Sequence, residues 1–435
     1  MKIPEILLVE SEHRAGSLAK ILAVIGDAGL VVEHLATVGR SQNRTVWEIT
    51  LEMDEEADRG VFDRIDELPN ARVIGMSDRV FNRHRGGKIQ TVARQDIGSH
   101  QILRDLYTPG VARVCLAIAQ RPELVYEYTN LNNTVAIVTN GSAVLGLGDI
   151  GAVAGLPVME GKAALFAKLA DISGIPILIE SGEPAVIVET VAAIAPSFGA
   201  IQLEDIGAPA CFEIEEALVE RLDRPVLHDD QHGTAVVALA ALLSATSALG
   251  RDLADASVGQ IGLGAAGIGI ARLLLAGGVR KLLGTDVNPS AVSRFESMGG
   301  IATDLDGVMA RCDVVVATTG VRGLIRADKV RPGQVILALS NPEPEIEPQV
   351  ALRHGAASAS DGKSINNVLG FPGLFRGALD ARAPRFDDDM LLAAARTLSD
   401  LAPEGDLVPD PLDPNVHVAV AEAVRRVAAG NLRAA

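Results

Sequence analysis

The sequence predicts an α/β fold, a parallel sheet with helices on both faces, preceded by a small α+β module. Three observations carry this expectation. Residues 1–77 alternate strand-like and helical patterns in the order βαββαβ. From Asp105 onward, apolar strand patterns alternate with helical ones. A Gly262-x-Gly264-x-x-Gly267 turn then separates an apolar strand from an apolar helix.

The elements follow in order. Ile3–Val9 is strand-like, and Gly16–Ala28 places Leu18, Ile21, Leu22 and Ile25 on one helical face. Val31–Val38 and Thr45–Met53 alternate as strands, Ala57–Leu68 is helical, and Ala71–Met76 is a last strand. Residues 78–100, with Arg79, Arg83, His84, Arg85 and Lys88 crowded together, read as a solvated linker. Residues 101–225 read as a catalytic domain with buried strands at Val135–Val138, Ile175–Ile179 and Ala200–Leu203. Residues 226–435 read as a nucleotide-binding domain. Its elements are Val258–Ile261, Ile268–Leu275, Lys281–Asp286, Asp313–Thr318 and Gln334–Ala338, with an Ala-rich helical tail from Asp387.

Bulk properties narrow the function. A chain of 435 residues with 48% hydrophobic and 22% charged residues is an ordinary globular protein, of about three domains on length alone. Aromatics are only 3%, so the core must rest on Ala, Val, Ile and Leu. A net charge of −17 argues against nucleic acid and anionic membrane as partners. Cys115, Cys211 and Cys312 are too scattered for a disulfide framework, which suits a reducing compartment. The start Met1-Lys2-Ile3-Pro4 lacks a signal-peptide pattern, and no apolar run reaches the roughly 18 residues that span a bilayer. A cytoplasmic protein is therefore expected.

The glycine turn gives the first functional expectation. Gly262 permits a tight turn, Gly264 lets a pyrophosphate approach the backbone, and Gly267 allows close helix–strand packing. With Ala265 and Ala266, these residues open a helix whose free N–H groups and dipole favour an anion. Asp286 ends the next strand, where a carboxylate accepts from ribose hydroxyls and repels a 2′-phosphate. NAD is therefore expected rather than NADP.

An acidic cluster precedes that turn. Leu203-Glu204-Asp205-Ile206 and His228-Asp229-Asp230-Gln231-His232-Gly233 set carboxylates in apolar surroundings, where they repel one another unless a cation lies between them. Glu204, Asp205 and Asp230 are the expected ligands, and hard oxygen donors select Mg²⁺ or Mn²⁺. Zinc is disfavoured, since His228 and His232 have no third histidine or cysteine nearby. Lys162, alone in Pro157-Val158-Met159-Glu160-Gly161-Lys162-Ala163, reads as a buried amine. Acting as a base near neutrality requires its pKa to fall by about three units from ~10.4. Tyr107 opens a turn in Leu106-Tyr107-Thr108-Pro109-Gly110; by itself it reads as a core tyrosine.

Several of these stretches together resemble the malic enzyme family. They are Tyr107 to Ala112, Val144-Leu145-Gly146-Leu147-Gly148-Asp149-Ile150-Gly151, the Lys162 segment, Leu203-Glu204-Asp205, His228 to Ala235, Ser340-Asn341-Pro342 and Asn366-Asn367-Val368-Leu369-Gly370-Phe371-Pro372-Gly373. The resemblance is collinear over residues 79–430. It implies metal-dependent oxidative decarboxylation of malate to pyruvate and CO₂ with reduction of NAD, by hydride transfer followed by decarboxylation of a β-keto acid. It further implies Lys162 as the base, Tyr107 as the acid, Glu204, Asp205 and Asp230 as metal ligands, and Asn341 and Asn367 as substrate contacts. Many family members carry an arginine where this chain has Ala143, so another cation must meet the second carboxylate. Arg376 is favoured over Arg113.

The alternatives on the same residues are malate-to-lactate conversion, oxaloacetate decarboxylation, and a non-catalytic amino-acid-sensing regulator. The last of these draws on the first module, whose His13-Arg14-Ala15-Gly16-Ser17-Leu18 resembles the first turn of ACT domains. That family often binds an amino-acid effector there. A homo-oligomer, dimeric or larger, is expected.

Overall fold

One apolar face builds the first sheet. In the computed structural model, which describes residues 3–53, 60–76, 79–144, 146–341 and 343–434, the chain divides into two units, Met1–Lys88 and Ile89–Ala435. The first contains β1 (Ile3–Glu12), α1 (Ser17–Asp27), β2 (Val32–Arg40), β3 (Arg44–Met53), α2 (Gly60–Asp66), β4 (Ala71–Met76) and α3 (Arg79–His84). The strands pair antiparallel in the order β2-β3-β1-β4, with Leu7 opposite Ile49. Leu7, Val9, Ile49 and Leu51 are buried against Ile21 and Ile25 of α1 and Val61 and Ile65 of α2. This is the expected βαββαβ order. In its first turn both ring nitrogens of His13 are engaged, Nδ1 with Thr45 Oγ1 at 2.8 Å and Nε2 with Arg40 at 2.7 Å.

The basic stretch expected to be a solvated linker is partly anchored. Arg79 donates to Glu48 Oε1 at 2.7 Å and to Thr50 Oγ1 at 3.2 Å, because β3 presents a buried carboxylate that needs a cation. The start of the helix expected from Ala57, Leu145 of the glycine-rich stretch and Pro342 lie outside the described residues.

The second unit opens with three short helices, α4 (His100–Leu106), α5 (Val111–Gln120) and α6 (Val125–Tyr128). An alternating run follows: β5 (Thr134–Thr139), α7 (Ala152–Ala170), β6 (Ser173–Leu178), α8 (Pro184–Ile194), β7 (Ala200–Leu203), α9 (Ala210–Arg221) and β8 (Val226–His228). These strands form a parallel sheet in the order β6-β5-β7-β8. The boundary expected at 225/226 therefore cuts β8 from its own sheet. Three residues are too few to carry a strand pattern, and only pairing with β7 reveals them.

After α10 (Asp229–Ala248) comes the larger sheet. Its elements are β9 (Ser257–Ile261), α11 (Ala265–Ala276), β10 (Lys281–Thr285), α12 (Pro289–Ser297), β11 (Ile301–Ala302), α13 (Leu305–Arg311), β12 (Val314–Ala317), β13 (Val335–Ala338), α14 (Pro348–Arg353) and β14 (Ser358–Asp361). All pairings are parallel, in the order β11-β10-β9-β12-β13-β14. Helices α15 (Phe371–Ala381), α16 (Asp388–Asp400) and α17 (Pro414–Ala434) pack back on this unit. Among the described residues no helix is long and apolar enough to cross a membrane.

Scarce aromatics are concentrated where α7 meets α15. Phe166 is fully buried, with edge-on contacts to Phe371 at 4.9 Å and Phe375 at 5.3 Å between centroids. Phe166 lies four residues after Lys162, on the same side of α7. Phe166→Ala is expected to destabilise the protein by about 3–5 kcal/mol in urea unfolding; a loss under about 1 kcal/mol would show that this cluster does not hold the two helices together.

Candidate active site

Strand register assembles the site. β7 and β8 are parallel neighbours with Leu203 opposite His228. The residues that follow each strand, Glu204-Asp205 and Asp229-Asp230, are thereby placed side by side at the carboxyl edge of the sheet, where ligands bind in open α/β folds. Asp229 and Asp230 also open α10, where free N–H groups and the dipole favour carboxylates.

Ligand atoms of Glu204, Asp205 and Asp230 lie within 4.8 Å of one another. Asp205 N–H donates to Asp230 Oδ2 at 3.0 Å, and Gln202 Nε2 orients Glu204 by donating to Oε2 at 2.7 Å. Asp205 adopts φ 54°, a left-handed backbone that costs a non-glycine residue roughly 1–2 kcal/mol. Such strain persists where the surroundings over-determine it. Here the Ala143 N–H binds Asp205 O at 3.0 Å, so Ala143 sits beside the acidic residues.

Lys162 enters from α7. Its buried ammonium is ion-paired with Asp229, lies 3.1 Å from Glu204 Oε1, and sits 4.4 Å from the centre of the Phe371 ring. Asn367 donates to Asp229 Oδ2 at 2.7 Å, which brings that residue to the same cluster. Four carboxylates thus gather around one ammonium. Burial pushes the Glu204 carboxyl well above the usual range; Lys162 opposes the shift, while Asp230, Asp229 and Asp205 add to it. The surplus negative charge and hard donor set fit a divalent cation.

Lys162 is the buried amine that the sequence predicts, with desolvation and an adjacent metal cation as the two influences expected to lower its pKa. Burial does lower it, but Asp229 and then Glu204 outweigh that effect and hold the ammonium above its ordinary value. Asp229 was not among the expected site residues. The only sequence signal for it is its adjacency to Asp230, and adjacent helical residues point to different sides of the helix. Asp230 faces Asp205, and Asp229 faces the lysine.

Three candidate residues are not brought to the cluster. Arg376 pairs with Asp380 at 2.6 Å and donates to Asn133, which precedes the first residue of β5. Glu204 instead bonds Val138, near the other end of β5, so most of a strand, roughly 13 Å, separates them. The i,i+4 spacing on α15 favours the Asp380 pair over a substrate. Arg113 lies on the exposed side of α5. Tyr107 ends α4 with 70% of its surface exposed, so it is not the core residue that its apolar neighbours suggest.

The dinucleotide turn has the expected geometry. Gly262 has φ 86°, and a Cβ there would lie 2.7 Å from Thr318 O. A Cβ on Gly267 would lie 2.0 Å from Gly262 O, whereas one on Gly264 would meet nothing within 4 Å, which leaves that side open for a ligand. Ala265 and Ala266 begin α11. Asp286 accepts from Leu263 N–H at 2.6 Å and Asn288 N–H at 2.8 Å, and so ties the turn to the end of β10. Asn341 follows β13 and donates to Gly362 O at 3.1 Å. A residue not expected from sequence, the fully buried Glu345, joins the neighbouring loops: it accepts from Thr319 N–H at 2.6 Å and from Ser340 Oγ at 2.6 Å.

The chain is similar to known proteins along most of its length. Residues 86–185 match the malic enzyme N-terminal domain, and residues 231–311 and 358–435 match the malic enzyme NAD binding domain. An NAD-dependent malic enzyme of Bacillus subtilis is 52% identical over 425 residues, covering 97% of each chain. One from Geobacillus stearothermophilus is 41% identical over 433 residues, covering 94% of this chain and 90% of its own. A crystal structure of malic enzyme from Pyrococcus horikoshii superimposes with a TM-score of 0.77 at 37% identity, over 81% of this chain and 90% of that one. Two domain matches in order, and a relative alike along almost its entire length, make this chain a member of the malic enzyme family.

Proposed function

We propose that this chain oxidises malate with NAD and decarboxylates the product to pyruvate and CO₂, with Mg²⁺ or Mn²⁺ as the metal. The observation that carries the proposal is the buried Lys162, held between Asp229 and Glu204 beside the Glu204, Asp205 and Asp230 oxygens. Glu204, Asp205 and Asp230 would hold the metal, and the turn from Gly262 to Gly267 with Asp286 would hold NAD. When bound, the metal supplies Lewis-acid polarisation of substrate oxygens and NAD supplies the hydride acceptor.

The chain's own groups handle protons and orientation. Lys162 Nζ accepts the proton of the substrate hydroxyl in its neutral form, and Asp229 with Asn367 fixes the amine in place. The Phe371 ring and the buried α7 face keep water from that amine. Asn341 and Asn367 are assigned to substrate carboxylate contacts, and Tyr107 to the acid that protonates the enolate carbon.

An acid with 70% of its surface exposed is not protected from water. Helices α4 and α5 have no buried residue, although Ile102, Leu103, Leu106 and Leu116 are large apolar groups. On this reading the chain works as a homo-oligomer in which another copy covers these helices and encloses Tyr107.

Lys162→Ala is expected to lower malate-dependent NADH formation by about 10²–10⁴-fold with the circular dichroism spectrum unchanged, and a chelator should abolish the wild-type rate. Substantial turnover in either case would refute the proposal. Removing the Asp286 charge, as Asp286→Ala, should shift the NAD-to-NADP preference toward NADP by about tenfold, read from kcat/KM for each coenzyme. An unaltered ratio removes Asp286 from coenzyme choice. Leu103→Glu with Leu106→Glu should give a lighter species in sedimentation velocity together with lost activity; an unchanged, active species would count against the oligomer.

A further inference from the structure

Behind the acidic cluster lies a second charged group that the reaction does not use. Glu215 is buried on α9, which runs beside β8. Its Oε1 accepts the backbone N–H of His228, the residue that precedes α10, at 2.7 Å. Its Oε2 meets His232 Nε2 at 2.9 Å and Gln231 Nε2 at 3.4 Å. One carboxylate therefore spans the start and first turn of α10, and Asp229 and Asp230 lie between its points of attachment.

The far side of the same turn is also confined. A Cβ at Gly269 of α11 would lie 2.2 Å from Gln231 O, so α11 presses directly against this turn. Glu215 holds one side and Gly269 admits contact on the other. The first turn of a helix leaves N–H groups without intrahelical partners, and a carboxylate from a neighbouring helix satisfies one of them here. Solvent or an ordinary capping side chain could satisfy that N–H equally well. A buried glutamate that also binds two side chains of the turn sets its rotation and height as well.

We infer that Glu215 is a positioning residue for the reaction: through His228 N–H and His232 it sets the first turn of α10, and thereby the placement of Asp230 toward Glu204 and Asp205 and of Asp229 toward Lys162. The inference rests on the proposed reading of Glu204, Asp205 and Asp230 as metal ligands. It requires the length of the side chain more than its charge. Aspartate is one methylene too short to reach both attachment points, whereas glutamine keeps an acceptor for His228 N–H and, once His232 carries its proton on Nδ1, a donor for His232 Nε2.

The test is Mn²⁺ binding to the metal-free full-length protein, followed by the electron paramagnetic resonance of free Mn²⁺, with unfolding midpoints measured in parallel. Glu215→Asp is expected to weaken Mn²⁺ binding by about 10–100-fold and Glu215→Gln by no more than about threefold. At saturating Mn²⁺, kcat of Glu215→Asp should recover more than its KM for malate. A lowered unfolding midpoint with unaltered Mn²⁺ affinity in Glu215→Asp would reduce Glu215 to a fold element and overturn the inference, as would equal losses in the two variants. Asp230→Asn separates the two levels. If it retains Mn²⁺ affinity, the metal reading fails and the inference with it. If it loses affinity while Glu215→Asp does not, only the inference fails.

Discussion

Four carboxylates crowded beside one buried ammonium, two of them paired with it, are the constraint on which the rest of the structure turns. Like charges in an apolar setting are costly, and the parallel register of β7 and β8 forces them together by placing Leu203 opposite His228. Lys162 offsets part of this charge through Asp229 and Glu204. Burial raises the Glu204 carboxyl, and the neighbouring Asp230, Asp229 and Asp205 charges add to that shift. A divalent cation held at Glu204, Asp205 and Asp230, as proposed, would remove the imbalance. Metal affinity and the protonation of Lys162 are thus one electrostatic problem.

Helix α10 turns this local arrangement into a two-sheet architecture. It is buried from Ala235 to Leu242, which is why its sequence shows no polar face. A helix apolar all round must be covered on every side. Its first turn carries the acidic pair, and it packs along α11, the helix that opens at the dinucleotide turn. The tight approach at Gly269 brings the acidic first turn of α10 close to the start of α11, the helix that follows the glycine turn. Glycine is required there because the facing Gln231 carbonyl leaves no room for a methyl group.

The aromatic residues are few but placed with the same economy. Phe166, Phe371 and Phe375 join α7 to α15, so the helix bearing Lys162 and the segment after Asn367 share one cluster. Phe371 also covers the lysine. Apolar packing and placement of the amine are achieved by the same rings, in a chain whose remaining core is mostly aliphatic.

Local chemistry was readable directly. The three glycines of the dinucleotide turn act in the structure as their spacing implies, because steric limits at a tight turn depend on only a few residues. Asp286 likewise follows its strand, and the Glu204, Asp205 and Asp230 oxygens converge as hard donors in apolar segments would. Burial of Lys162 was legible from its Met, Gly and Ala neighbours. Strand β8 was not, since three residues carry no period; nor were Glu215 and Glu345, whose partners come from other elements. The sign of the Lys162 shift, the diversion of Arg376 to Asp380 and Asn133, and the exposure of Tyr107 were decided by the tertiary structure alone. A field is the sum over groups distant in sequence, and a long side chain goes to whichever partner the fold brings within reach. Residue type and spacing therefore specify which chemistry is present, and three-dimensional packing specifies which charges meet.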